Sequence, residues 1–497
     1  MDKLDKINSI TLSRGFFYPS AEIYKASSGF WTYGHLGTRI KHKWENIWRK
    51  SFLGLSPRYF EIDDCVIMPK KVFESSGHLE HFNDPLTECR KCHQRYRADQ
   101  LVENATNKNA EDMTIEELDK AIEKNKIKCP KCKDDLSKIK IFNMMFPINV
   151  GATETNVMYL RPESAQSPYL AYKREFEAMR RKLPFGLATI GKVFRNEISP
   201  RQGFFRLREI VQAELQIFFD PKEITKCDNW DKIKSEKIRI LKVGEKKIKD
   251  YTCAELLKQK IPKFYLYHMV RVQKFYVEDL QIPKQKFRFR ELSEKERAFY
   301  NKIHFDMELD VDTLGGWKEF GGLHYRGDYD LTCHQKGSKQ KMESVRIDGS
   351  RFIPHILELS FGVDRNVWAL VDIFFKEGER DYIAFPLGIA PFDVAVFPLV
   401  NKKGLPEKAM EIFDSLRKEF NAFYDESGSV GRRYRRQDEV GTNFGVTIDF
   451  DTLEKGVVTI RDRDSMKQIR VDEGELVEVL RNLLGGLKFS KAGELVK

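Results

Sequence analysis

Apolar residues alternate along RLREIVQAELQIFF (206–219). Leu207, Val211, Ala213, Leu215 and Ile217 take the odd positions, interrupted by Glu209, while Arg206, Arg208, Gln212, Glu214 and Gln216 take the even ones. Successive side chains of a strand point to opposite faces, so this period predicts a strand with one packing face and one polar face of mixed charge. The preceding GKVFRNE has the same texture and sets Arg195 and Glu197 on one face. The turn SPRQG joins the two strands, punctuated by Pro200 and Gly203, with Arg201 solvated at its tip. A second sorted strand occurs in IPHILELSFG, where Glu358 and Ser360 share a face. Gly362 then turns the chain into VDRNVWALVDIFF, whose apolar spacing is helical. Arg365 falls in the first turn of that helix, where free N–H groups and the dipole favour an anion. An arginine there works against the helix and points to a phosphate partner.

Beyond Asp381 the pattern predicts a separate α/β unit with a mixed sheet. The strand VAVFPLV precedes an amphipathic helix over LPEKAMEIFDSLRKEFNAFYDE; a strand pair within FGVTIDFDTLEKGVVTIRDRD and a helix in EGELVEVLRNLLGGL complete it. Two other stretches differ in texture. One is a Lys/Glu-rich inset, ENATNKNAEDMTIEELDKAIEKNKIK, containing a helix with a capping box from Thr114 to Glu117. The other, residues 222 to about 300, is strongly basic, with runs such as KIKSEKIRILKVGEKKIKD and KQKFRFRELSEKER.

Composition narrows the function classes. A chain of 497 residues with 41% hydrophobic content has room for two or three domains with real cores. No apolar run approaches the ~18–20 residues needed to cross a bilayer. The N-terminal MDKLDKINSITLSRGFF lacks the apolar segment of a secretory signal, so a cytoplasmic location and no membrane partner are expected. The net charge of +11 favours a polyanionic partner, nucleic acid above all. Four of the eight cysteines form two C-x-x-C pairs, Cys89/Cys92 and Cys129/Cys132. Four thiolates suit a tetrahedral structural zinc, and a cytoplasmic setting disfavours disulfides. Cys65, Cys227, Cys253 and Cys333 stand alone and read as ordinary thiols.

The sorted strands carry a family resemblance. FRNEISPRQGFFRLRE resembles motif 2 of the class II aminoacyl-tRNA synthetases, ELSFGVDRNVWALV resembles motif 3, and SSGFWTYGHLGTRIKHKWENIWRKSFL resembles the motif 1 region of the dimeric, archaeal/eukaryotic-like glycyl-tRNA synthetases. SSGHLEHFND, RYRADQL, RPESAQ, VQAELQIFFDP and the C-terminal block from GRRYRRQDEV to MKQIRV are similar to that family as well. The chain departs from the family pattern at His35, Ser167 and Leu359.

The resemblance implies an α+β architecture: a class II catalytic domain with an antiparallel sheet flanked by helices, a C-terminal α/β anticodon-binding domain, and insertions. Its expected parts are 1–84 with motif 1, an inserted zinc-binding subdomain at 85–145, 146–221 with motif 2, a basic insertion at 222–300, 301–380 with motif 3, and the anticodon-binding domain at 381–497. The implied activity is glycine–tRNA ligation, with ATP and glycine as small substrates, tRNA(Gly) as the partner, Mg²⁺ as cofactor, a homodimer, and no DNA.

By the same resemblance, an ATP site comprises Arg195, Asn196, Glu197, Phe205, Arg206, Leu207, Arg208, Glu209, Ile210, Glu319, Phe320, Gly362, Val363, Asp364 and Arg365. Within it, Arg195 and Arg365 are catalytic contacts to phosphate, Glu197 accepts from the adenine amino group, Phe205 stacks on the base, Arg206 lies near the γ-phosphate and Glu319 holds Mg²⁺. The implied glycine site comprises Arg97, Glu163, Ile210, Val211, Gln212, Ala213, Glu214, Glu358, Leu359, Ser360, Phe361 and Gly362, with Glu163, Glu214 and Glu358 around the ammonium. In the C-terminal unit, Arg432, Arg433, Arg435, Arg436, Asp438 and Glu439 form either a tRNA-facing patch or an internal ion-pair set. Two rival readings are a non-catalytic synthetase-like nucleic-acid-binding protein and a class II enzyme for another amino acid; the former is expected to lose the motif arginines or the glutamates.

Overall fold

The computed structural model describes residues 2–496 apart from 26, 107, 109, 111–112, 153–155, 199, 201–202 and 299. Arg201, expected at the turn tip, therefore lies outside the described residues.

A nine-stranded sheet dominates the larger part of the molecule. Its strands in chain order are β1 (Tyr59–Glu61), β2 (Phe185–Phe194), β3 (Glu209–Phe219), β4 (Lys237–Leu241), β5 (Lys249–Thr252), β6 (Phe287–Glu291), β7 (Ile303–Val311), β8 (Gly316–Gly327) and β9 (His355–Gly362). In space they run β5-β4-β6-β7-β8-β9-β3-β2-β1. All pairings are antiparallel except β1 with β2 and β4 with β6.

Alternation decides what each face does. On β3 the odd residues Ala213, Leu215 and Ile217 are fully buried in the main core, and on β9 so are Leu357, Leu359 and Phe361. Two helices close this core. Helix α1 (His35–Phe52) sets the indole rings of Trp44 and Trp48 edge-on to Phe361 at 6.3 and 6.1 Å. Helix α2 (Lys263–Lys274) buries Tyr265, Leu266 and Met269, and the Tyr265 hydroxyl donates to the carbonyl of Leu323 on β8 at 2.6 Å.

The stretch 222–300, expected as an insertion, thus supplies three strands and a helix to the main sheet and core. Its basic residues are spaced so that Ile238, Ile240, Phe287 and Phe289 alternate inward. The charges sit on the outer positions and obscured that period.

The inset is a small unit of its own. Three short strands, Asn83–Glu88, Arg95–Arg97 and Lys140–Asn143, pair antiparallel, and the helix Ile115–Lys124 carries the capping box foreseen from Thr114 to Glu117.

The C-terminal part has a separate core and a mixed six-stranded sheet. Its strands are β10 (Val394–Pro398), β11 (Ala422–Tyr424), β12 (Phe444–Ile448), β13 (Val457–Asp462), β14 (Gln468–Asp472) and β15 (Glu494–Leu495), in the order β11-β10-β12-β13-β14-β15. Strand β10 pairs parallel with both neighbours and the rest are antiparallel. The helix expected over 405–426 stops at Leu416, and Ala422–Tyr424 forms β11. The segment GRRYRRQDEV, read as a charged patch, lies in the helix Val430–Val440.

Candidate functional site

The registers of β3, β9, β8 and β7 lay two polar rows across the middle of the sheet. In one, Glu214 faces Ser360, which faces Gly322, which faces Asp306; in the other, Gln216 faces Glu358, then His324, then His304. A cavity of about 210 Å³ opens over these rows. Its lining includes Glu163, Arg195, Ile210, Gln212, Glu214, Tyr300, Asn301, His304, Glu319, Phe320, Gly321, His324, Arg326, Glu358, Ser360, Gly362 and Arg365.

Four carboxylates line the cavity, and three of them, Glu163, Glu214 and Glu358, differ in support. Glu358 accepts from Gln216 Nε2 (2.8 Å) and Arg326 Nη1 (2.9 Å), and its Oε2 lies 2.5 Å from His324 Nδ1. Burial works against its charge, but Arg326 and His324 outweigh burial and hold its pKa well below the usual range. Glu163 is half-buried, which works against its charge, yet His78 at 3.3 Å and Arg326 bring its pKa down to about 2. Among the described residues no cationic side chain is bonded to Glu214; Ser360 Oγ donates to it at 2.7 Å. Burial and the neighbouring charges of Glu358 and Glu163 raise its pKa above the ordinary carboxylate range. Two fixed negative charges and a third carboxylate short of a cation give the cavity a negative lining that suits a cationic group.

Beside this pocket lie the arginines and rings. Arg195 lines the cavity, its Nε donating to Pro162 O at 3.0 Å and its guanidinium 5.6 Å from the Phe82 ring centre. Helix α3 (Val363–Phe374) begins at the cavity with Gly362 as its N-cap, which puts Arg365 in its first turn. Arg365 Nη1 donates to the carbonyl of Glu319 at 3.1 Å and lies 3.5 Å from the Glu319 carboxylate, and its guanidinium sits 4.9 Å over Phe205. Phe205 meets Phe320 edge-on at 5.7 Å. Cation and ring face each other, as a planar aromatic ligand with phosphates would require.

Several residues expected in the site are placed elsewhere. Strand β2 ends at Phe194 and β3 begins at Glu209, so Arg195, Glu197, Arg206 and Arg208 stand on the connecting segment and strand parity does not sort them. Glu197 accepts from Arg206 Nε at 2.8 Å, and neither lines the cavity. Arg208 is engaged with the carbonyls of Glu197 and Ser28, and Asn196 N–H donates to Met144 O at 2.7 Å. Ala213, Leu359, Phe361 and Val363 are fully buried in the core on the far side of the sheet. Leu207, Glu209, Val211 and Asp364 line a second cavity of about 450 Å³ beside α1, with Glu209 paired to Lys192. For Glu209, Val211, Ala213, Leu359 and Phe361 the physical reason is strand alternation, which sends every second side chain away from the site; Leu207 stands on the connecting segment, and Val363 and Asp364 turn away in the first turn of α3. Asp364 acts there as a strut, accepting from the Tyr33 hydroxyl and the Val211 N–H, each at 2.5 Å. Arg97 does not line the cavity; it forms ion pairs with Asp99 and, at 3.5 Å, Asp84.

The sequence reasoning missed His304, His324 and Arg326, and also Tyr300 and Asn301. The signal was present in GWKEFGGLHYRG, where Gly322, His324 and Arg326 fall two apart and share the face that Gly322 sets opposite Ser360. Arg326 is buried with both forks engaged, donating to Asp330 at 2.8 and 2.9 Å and to Glu358. Of the positions that depart from the family pattern, Ser167 accepts from the buried Arg161 at 3.0 Å.

The four paired cysteines converge: their Sγ atoms all lie within 4.8 Å of one another. Cys89 and Cys132 are 3.4 Å apart and Cys92 and Cys129 3.6 Å. Tetrahedral thiolates at a zinc–sulfur distance of about 2.3 Å stand roughly 3.8 Å apart, so the set fits. The two knuckles share a backbone form. His93 N–H donates to Cys89 O and Lys133 N–H to Cys129 O, and both residues are left-handed, with φ of 53° and 62°.

In the C-terminal domain most of the charged set is internal. Arg433 is buried and donates to Asn401 and to the carbonyls of Pro398, Glu426 and Gly428. Asp438 joins Arg461 and Arg380, Arg436 joins Asp425, and Glu439 reaches Arg14 at the end of the N-terminal helix Lys3–Arg14. Arg432 and Arg435 face outward.

Taken together, a central antiparallel sheet with an arginine-led helix start and a ring-lined cavity defines a class II tRNA synthetase. Residues 149–374 match the family model described as "tRNA synthetase class II core domain (G, H, P, S and T)", and residues 393–483 match "Anticodon binding domain". The chain is 35% identical to a glycine–tRNA ligase of Aeropyrum pernix, covering 100% of this chain and 99% of that one. It is 38% identical to one of Thermococcus kodakarensis (97% and 99%) and 35% identical to one of Methanococcus maripaludis (97% and 100%). The chain belongs to the glycine–tRNA ligase family.

Proposed function

We infer that the protein is an ATP-dependent glycine–tRNA ligase. It joins glycine to ATP as glycyl-adenylate with release of pyrophosphate, then transfers the glycyl group to the 3′ end of tRNA(Gly). The observation that carries the reading is the pocket of Glu163, Glu214 and Glu358 set against Arg195 and Arg365. An amino acid without a side chain offers only its ammonium and carboxylate to hold, and this pocket grips the ammonium.

In the first step a glycine carboxylate oxygen attacks the α-phosphorus and the bond to pyrophosphate breaks. In the second a terminal ribose hydroxyl attacks the glycyl carbonyl and AMP leaves. Both are driven by alignment and charge stabilisation rather than by a protein nucleophile. Arg195 holds the α-phosphate and stabilises charge as it grows there. Arg365 lifts from Phe205 to admit the adenine ring and contacts the terminal phosphates. Glu163, Glu214 and Ser360 hold the ammonium. Glu358, already bonded to three side chains, mainly fixes the shape of the site.

The exposed carboxylate of Glu319 at the cavity rim fits a hard cation; it would hold Mg²⁺, which would supply charge neutralisation to the phosphates. The four cysteines hold a structural zinc that ties the inset together. The homodimer forms through the region of α1, where the preceding turn exposes Ile23 and Tyr24 to more than four-fifths. The C-terminal domain reads the anticodon, with Arg432 and Arg435 as outward contacts.

The test is ATP–pyrophosphate exchange with the full panel of amino acids. Glycine alone is expected to support exchange; exchange with another amino acid and none with glycine overturns the reading.

A further inference from the structure

Between Ser360 and Asp306 the polar row has a gap, because the residue of β8 at that place is Gly322. The imidazole of His324, two residues on and on the same face, folds into it. A Cβ built on Gly322 stands 2.2 Å from His324 Nε2 and 2.9 Å from Cε1. The ring is braced on two further sides. Its Nδ1 lies 2.5 Å from Glu358 Oε2, which Arg326 also holds, and the His304 ring abuts it edge-on at 4.1 Å between centres. His304 is itself kept in place by Asp306 at 3.1 Å. His324, Glu214 and Ser360 line the same cavity.

We propose that His324 confines the amino-acid site to glycine, its imidazole filling over Gly322 the space that a substrate side chain needs. The inference rests on the reading that Glu163, Glu214 and Ser360 hold the substrate ammonium. A site for glycine has no side chain to attract, so it discriminates only by refusing room. A refusing wall works only if it does not yield, and a ring fixed by a hydrogen bond to a carboxylate, a neighbouring ring and the backbone beneath it is such a wall. One extra carbon in a pocket changes selectivity by about 10–200-fold.

The experiment uses the full chain. His324→Asn keeps an N–H donor toward Glu358 and lacks the Cε1 and Nε2 atoms that cover Gly322; His324→Ala removes both. Exchange is measured with glycine, L-alanine and L-serine, and binding of glycyl- and alanyl-sulfamoyl adenosine is measured by calorimetry, which remains readable where turnover is lost. The alanine-to-glycine ratio is expected to rise about tenfold or more in His324→Asn in both measurements. A ratio unchanged within about twofold in both overturns the proposal. Glu214→Gln separates the two readings: it should weaken both amino acids and leave their ratio alone. If it leaves glycine untouched while His324→Asn still shifts the ratio, the ammonium reading falls and the role of His324 stands.

Discussion

Glu214→Gln removes the ability of this side chain to carry charge against the substrate while keeping the shape of the site. The amide oxygen can still accept from Ser360, which bonds to Glu214 at 2.7 Å in the present structure, and neighbouring Gln216 keeps its bond to Glu358. What is lost is one charge-assisted contact to the substrate ammonium, worth about 1.5–3 kcal/mol. That predicts a rise of roughly 10- to 150-fold in the KM for glycine. The KM for ATP should stay within about twofold, because Arg195, Phe205 and Arg365 are untouched. Exchange assays titrated separately in glycine and in ATP read both numbers. The pH profile supplies a second readout. In the native protein burial and the charges on Glu358 and Glu163 raise the Glu214 pKa, so the proton is held at pH values where an ordinary carboxylate has lost it. Glycine binding as an ammonium therefore improves as pH rises through that raised value, and Glu214→Gln should abolish this limb. A variant with an unchanged glycine KM, or one in which the KM for ATP climbs equally, would refute the ammonium site.

Arg195→Ala should lower glycine-dependent exchange by about 10²–10³-fold, the scale of losing one preorganised charge-stabilising group, with thermal unfolding little changed; near-normal exchange would remove Arg195 from the chemistry. Cys129→Ser should abolish stoichiometric zinc and lower the melting temperature, as should a strong chelator on the native protein; a zinc-free protein of unchanged stability would sink the metal site. Arg433→Ala should destabilise the C-terminal domain by about 1–3 kcal/mol, since it leaves the buried Pro398 carbonyl without its donor and frees three further acceptors nearer the surface. Arg435→Ala should instead leave stability alone and weaken tRNA binding with a shallower salt dependence, which filter binding at several salt concentrations can measure.

What the sequence made legible was periodicity. The alternation of Leu215 and Ile217 against Glu214 and Gln216, and of Leu359 and Phe361 against Glu358 and Ser360, located both the core and the pocket floor. The same period, applied only where strands exist, would have set aside Val211, Ala213, Leu359 and Phe361 as ligands. It failed for Arg206 and Arg208 because Pro200 and Gly203 break the hairpin into a longer connection, which no alternation describes. His324 and Arg326 stayed hidden for another reason: isolated polar residues on a strand look like a solvated face until the neighbouring strand supplies Glu358. The basic run 222–300 concealed its buried Ile238, Ile240 and Tyr265 behind lysines that lie on the outward positions.

The order of strands in the central sheet also sets the order in which the molecule can be completed during synthesis. Strands β2 and β3 leave the ribosome early, but the partner of β3 on its other edge is β9, which follows after β4 to β8 have been made. Until then the emerging chain carries an open sheet edge with Glu214 and Gln216 on one face and Leu215 and Ile217 on the other, a template for pairing with other chains. Closure of that edge, and with it assembly of the pocket, awaits residues 355–362, so truncated products that stop short of β9 should aggregate rather than accumulate as partly active enzyme.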